Sequence, residues 1–158
     1  SKSHGEARVV VVASAAHHGA EIDFDDIHTK VGYGFGMRSY GRSKLANILF
    51  AFELSRQLEG TGVTVNALHP GFVASNFAAN NSILIRWAQR TIGTLFALSP
   101  EEGARTNIYL ASSPDVKGIS GDYYTKCKIS RPDPIAEDQK TAARLWQISE
   151  ELIAESKI

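Results

Sequence analysis

Val9-Val10-Val11-Val12-Ala13-Ser14 and, further on, Gly62-Val63-Thr64-Val65-Asn66-Ala67-Leu68-His69-Pro70-Gly71 decide the fold. Four consecutive valines make a short, unbroken, β-branched run, the composition of a strand buried on both faces of a parallel sheet. Val63 to Leu68 reads as a second such strand. It ends in turn chemistry: Pro70 has no N–H to give to a ladder, and Gly71 allows close backbone approach. Between the strands, residues 39–58 place apolar side chains at Leu45, Ile48, Leu49, Phe52 and Leu58, with charge at Lys44, Glu53 and Arg56. That spacing is helical. Ser39 is the predicted cap, and Gly60 or Gly62 the predicted stop. Strand, helix, strand is a crossover unit, so the two strands should run parallel. Beyond them, Ser99-Pro100-Glu101-Glu102 predicts a helix start, residues 121–125 a last strand and residues 134–154 a terminal helix. The expected class is α/β, a three-layer α/β/α arrangement around a parallel sheet, in one domain over residues 1–158.

Two features in this frame carry chemistry. Ser14 closes the first strand, and ligands of open α/β sheets bind outside the carboxyl ends of the strands. Taken alone, such a serine is a turn residue that satisfies nearby backbone groups. Tyr40-Gly41-Arg42-Ser43-Lys44 sets a phenol and an ammonium four residues apart at the start of the helix, on one face. A lysine held there favours the phenolate electrostatically. A tyrosine so placed can take a proton from an alcohol or return one to a carbonyl oxygen. The plain alternative is a surface tyrosine beside a solvated lysine. The serine-ended strand before it and the Pro-Gly turn after it favour the chemical reading.

Ser14, then Tyr40-x-x-x-Lys44 opening a helix, then Asn66-x-x-x-Pro70-Gly71-x-Val73-x-Ser75 resembles the short-chain dehydrogenase/reductase family. The likeness is greatest to its retinol dehydrogenase-like branch. It rests on Ala16-His17-His18, on Ser43-Lys44-Leu45-Ala46-Asn47-Ile48-Leu49-Phe50 and on Thr141-Ala142-Ala143-Arg144-Leu145-Trp146. The resemblance implies a Rossmann-like fold and an NAD- or NADP-dependent interconversion of carbonyl and alcohol on a small lipophilic substrate. It implies Tyr40 as general acid/base and Lys44 as its electrostatic partner and ribose ligand. Ser14 becomes a donor to the substrate oxygen, and Pro70, Gly71, Val73 and Ser75 the turn that meets the nicotinamide. The family's glycine-rich phosphate turn after a first strand has no counterpart here. Gly32-Tyr33-Gly34-Phe35-Gly36 is glycine-rich, but no buried strand precedes it, and it reads as a loop. The resemblance therefore implies the C-terminal catalytic part of a larger reductase. A second reading is a non-catalytic binding or assembly module.

Composition narrows the classes further. The chain has 158 residues, 43% of them hydrophobic, with 17 basic and 17 acidic side chains. That balance argues against a nucleic-acid surface. A single cysteine, Cys127, forms no intrachain disulfide and fits a reducing, cytoplasmic compartment. His17, His18 and His69 lack the spacing of metal ligands, so no metal is expected, and His17 and His18 should shape the loop above the site. Glu21 to Asp26 is an acidic run without a calcium-loop pattern. Residues 83–98 read as an amphipathic helix around Trp87, suited to a substrate lid or a membrane surface. The 39–58 helix also carries apolar residues off its main stripe, at Ala46, Phe50, Ala51 and Leu54. The family commonly pairs subunits through this helix, so a homodimer with Phe50 or Leu54 in the contact is expected.

Overall fold

Strand β2 (Val63–His69) is the element most enclosed by the rest of the fold, with Thr64 to Leu68 all buried. The computed structural model describes residues 6–31, 36–72 and 98–156. On one side β2 pairs in parallel with β1 (Ala7–Val12), in a register that sets Ala7 beside Val63 and Val12 beside Leu68. On the other side it pairs in parallel with β3 (Tyr123–Thr125). A two-residue β4 (Lys128–Ile129) then pairs antiparallel with β3, so the sheet order is β1-β2-β3-β4. The parallel β1–β2 pair has helix α1 (Met37–Gln57) as its connection. Helices α2 (Pro100–Ser112) and α3 (Gln139–Glu155) are the other α-helices among the described residues.

The sheet separates two apolar clusters, which makes the arrangement three layers. On one face Leu45, Ile48, Leu49, Ala51 and Phe52 of α1 meet Val65, Ala67 and Tyr123, with Ala142 and Leu145 of α3 behind them. On the other face Leu110 of α2 and Val116 meet Leu68 and Tyr124. The period-two alternation of a strand produces this split. Val9 and Val11 join the α1 side and Val10 the α2 side.

Several expectations shift. The valine run is half-buried rather than enclosed, because β1 is the edge strand among the described residues and Val12 is 42% exposed. Helix α1 starts two residues early, capped at Gly36, so Ser39 lies inside the first turn. The terminal helix is broken. A 3-10 turn covers Pro134–Glu137, and Asp138 then restarts the chain as a cap that accepts the N–H of Thr141 at 3.0 Å. The β3–β4 hairpin went unread, because Lys126 and Cys127 occupy the left-handed region, with φ 50° and 59°, where turn formers such as Asn-Gly are usual. The Ser99 start holds as a full capping box with Glu102. The Trp87 region and residues 32–35 lie outside the described residues. Among the described residues no helix is long and apolar enough to cross a membrane.

Asn66 fastens the sheet from within. Its amide donates to the Ile119 carbonyl at 2.7 Å and accepts the Asp122 N–H at 3.0 Å, tying β2 to the segment that enters β3. Replacing Asn66 with Ala strands both backbone groups in a buried place. The expected loss is roughly 1–3 kcal/mol, read from urea unfolding midpoints.

Candidate active site

Of the predicted site residues, Ser14 follows β1, Pro70 and Gly71 follow β2, and Tyr40 and Lys44 lie near the start of α1. Ala13 extends the ladder by donating its N–H to Leu68 O at 2.8 Å, and Ser14 follows it, half-buried. Ser14 then caps a 3-10 turn (Ala15–His17), its Oγ accepting the Ala16 N–H at 3.2 Å. The turn role and the donor role are compatible, since a hydroxyl that accepts one bond keeps its own hydrogen to donate.

The start of α1 is packed directly against this turn. A Cβ on Gly41 would lie 2.7 Å from the Ala16 carbonyl oxygen, a backbone atom that cannot step aside cheaply. Glycine is a poor helix former, so its place in the first turn of α1 is a packing requirement. Tyr40 and Lys44 flank that contact on one face, with the Lys44 ammonium 5.4 Å from the centre of the Tyr40 ring. One turn further, Asn47 donates to the Val12 carbonyl at 3.0 Å and fixes the height of the helix beside the end of β1. The sequence reading passed over Gly41 and Asn47. A glycine within a helical pattern was the available signal for the first.

His69, Pro70 and Gly71 leave the end of β2. Gly71 has φ +91°, a conformation that favours glycine, while the Leu98 Cδ1 that a Cβ there would meet at 2.5 Å is a side-chain end able to move aside. The Leu98 N–H donates to Phe72 O at 2.7 Å. Val73 and Ser75 lie outside the described residues.

Behind the site stands a group of aromatic and imidazole rings. His17 is fully buried, its ring 4.0 Å from that of His18 and edge-on to Tyr123 at 5.2 Å. His17 Nδ1 is 2.6 Å from the Ser14 carbonyl oxygen, and Nε2 accepts the Asp133 N–H at 3.0 Å. His69 Nδ1 and the Tyr123 hydroxyl are buried without a hydrogen-bond partner among the described residues. Burial drives the Tyr123 phenol up to about 12. Among the described residues no group of three or more metal-ligating side chains is present. Of the two histidines expected to shape the loop after Ser14, His17 does so from inside it, while His18 is exposed.

No family model matches the chain. It is 46% identical over 154 residues to human retinol dehydrogenase 14, covering 96% of this chain and 46% of that protein. It is 42% identical to dehydrogenase/reductase SDR family member 13 of Bos taurus over 153 residues, 96% of this chain and 41% of that one. Among solved structures, an uncharacterized protein from Mycobacterium paratuberculosis superposes with a TM-score of 0.68 at 27% identity, over 92% of this chain and 49% of that one. A protein from Beutenbergia cavernae described as an NAD(P) dependent gluconate 5-dehydrogenase, with bound NADP, superposes at 0.52 and 27% identity, over 77% of this chain and 44% of that one. The chain thus spans about half the length of the curated relatives it matches. These likenesses identify the chain with the short-chain dehydrogenase/reductases. Within them it is similar to the retinol dehydrogenases.

The histidines also give the fold a pH dependence. Burial is the largest cause holding His17 below the ordinary 6.5. Its bond to Ser14 opposes this, His18 adds to it, and Asp133 opposes it less. His69 is held down by burial, then by His17 and His18. Folded values below the unfolded one mean that the unfolded chain binds more protons in that window. The stabilisation is present above 6.5 and lost as pH falls through the folded values. Asp133 is held below 3.8, first by the Gly19 N–H, and so acts only in a separate, more acidic window. Urea midpoints should be level from about pH 8 to about pH 7 and decline from about pH 6.5 to about pH 5. A flat profile there would contradict neutral, buried imidazoles.

Proposed function

We propose that the protein carrying this chain is an NAD(P)-dependent oxidoreductase that interconverts a carbonyl and an alcohol on a lipophilic, retinoid-type substrate. The observation that carries this reading is the contact of Gly41 with the Ala16 carbonyl. It holds the start of α1, which carries Tyr40 and Lys44, against the turn that Ser14 caps. The names of the retinol dehydrogenase relatives and the NADP in a solved neighbour support the substrate and cofactor classes.

The residues present suit the nicotinamide end of such a cofactor. Lys44 offers an ammonium to ribose hydroxyls, and Pro70 and Gly71 shape the turn after β2; by resemblance to the family, Val73 and Ser75, which lie outside the described residues, would meet the carboxamide. The cofactor, when bound, supplies or accepts the hydride at its nicotinamide C4. In the reducing direction Tyr40 Oη gives its proton to the substrate oxygen as the carbonyl carbon gains hydride. Ser14 Oγ donates a hydrogen bond to that oxygen and stabilises the charge that develops on it. Lys44 stabilises the phenolate that remains, and solvent restores its proton. In the oxidising direction the same phenolate takes the alcohol proton.

In the full-length protein, Tyr40→Phe should lower turnover of retinal or a medium-chain aldehyde by at least about 10²-fold. Cofactor binding, followed by fluorescence quenching, should stay within about threefold. Near-normal turnover would remove Tyr40 from the chemistry. A wild-type protein that binds cofactor but reduces neither aldehyde would favour the non-catalytic module.

The assembly follows from the outer side of α1. Helix α3 covers part of it, and Phe50 stacks on Trp146 at 5.6 Å with nearly parallel planes. Leu54 packs against the core of its own chain. Phe50 still exposes 43% of its surface, and we propose that a second copy covers it. Sedimentation equilibrium should show a dimer for the full-length protein and a shift toward monomer for Phe50→Glu. A wild-type monomer at micromolar concentration refutes the pairing.

A further inference from the structure

We propose that His17 is a positioning residue for the reaction: a neutral imidazole that clamps the backbone of Ser14 to the main chain of Asp133 and so aims the Ser14 hydroxyl. The inference deepens the function proposed above and rests on it.

The partners fix the state of the ring. A carbonyl oxygen can only accept, so Nδ1, 2.6 Å from Ser14 O, carries the hydrogen. A backbone N–H can only donate, so Nε2, 3.0 Å from Asp133 N, is bare. One tautomer of the neutral ring satisfies both, and the imidazolium satisfies only one. Ser14 O also accepts the His17 backbone N–H at 3.2 Å, so two donors of one residue hold the same carbonyl.

Asp133 is no loose anchor. Its carboxylate accepts the Gly19 N–H at 2.9 Å and the Ile135 N–H at 3.3 Å, and lies 4.0 Å from His18 Nδ1. The loop is thus stitched to one residue far along the chain at His17 and at Gly19, and Ser14 is tied in through the His17 ring. Ser14 Oγ belongs to the same turn through its bond to Ala16 N–H, so the carbonyl and the hydroxyl cannot swing independently. A shift of the carbonyl therefore moves the oxygen that must meet the substrate.

The surroundings keep the ring uncharged. His17 has no exposed surface, and the Tyr123 ring stands edge-on to it. The ionisable groups that face it are His18, His69, the Asp133 carboxylate and the Tyr123 phenol. A proton on Nε2 would place a donor against the Asp133 N–H and open the clamp.

The test uses three forms of the full-length protein with NADPH and retinal, at a temperature where circular dichroism shows each folded. His17→Leu removes both bonds and should lower kcat by about 10²-fold, the cost of misplacing a reacting group by about 1 Å. Its cofactor KM should change by less than about twofold, because Lys44 and the Pro70-Gly71 turn are untouched. His17→Asn offers an amide N–H near the position of Nδ1 and should recover at least about tenfold of that loss. Nitrogen-15 spectra of the wild-type imidazoles should show His17 neutral with the hydrogen on Nδ1 at neutral pH. A His17→Leu enzyme with near-normal kcat overturns the proposal, as does an Asn variant no better than Leu. A His17 found in the other tautomer, or charged at neutral pH, overturns it as well. If wild-type protein reduces no aldehyde, the proposed function fails. The nitrogen spectra then still decide the clamp.

Discussion

The approach of Gly41 to the Ala16 carbonyl is the constraint on which the candidate site depends. A helix lying on a sheet can slide along its axis or roll about it while keeping an apolar stripe in contact. Here neither freedom remains. Leu45, Ile48 and Leu49, all fully buried, set the roll. The glycine contact and the Asn47 bond to Val12 O set the slide. With both fixed, the opening turns of α1 hold Tyr40 and Lys44 at one place relative to the end of β1.

That economy explains why much of the fold was legible. The crossover from β1 to β2 is written in local composition: a valine run, a helical period and a second β-branched run. The Ser99-Pro100-Glu101-Glu102 start is local as well, since a capping box is satisfied within four residues. What escaped was long-range or broke local rules. His17 meets Asp133 across 116 residues, a pairing that no spacing announces. Lys126 and Cys127 turn a hairpin with positive φ, against the preference of both side chains. Asp138 ends one helical segment and begins another, where periodicity alone reads a single helix.

The site itself divides in the same way. The positions of Ser14, Tyr40, Lys44, Pro70 and Gly71 were readable because they sit at or near the ends of elements that the sequence predicts. The supports beneath them were not. Gly41, Asn47 and His17 act through backbone carbonyls, and a carbonyl leaves no mark in a sequence. Burial holds His17 and His69 below their ordinary value and pushes the Tyr123 phenol up to about 12, so each of the three favours its neutral form.

The bond from Leu98 N to Phe72 O bears on how such a protein diversifies. Phe72 stands just past the end of β2 and Leu98 just before the Ser99 cap of α2, so one backbone hydrogen bond of 2.7 Å joins the exit of the sheet to the entry of a helix. A bond between main-chain groups makes no demand on the side chains at either position. Both positions can therefore vary while the junction stays closed and the register of β2 against β1 and β3 is kept.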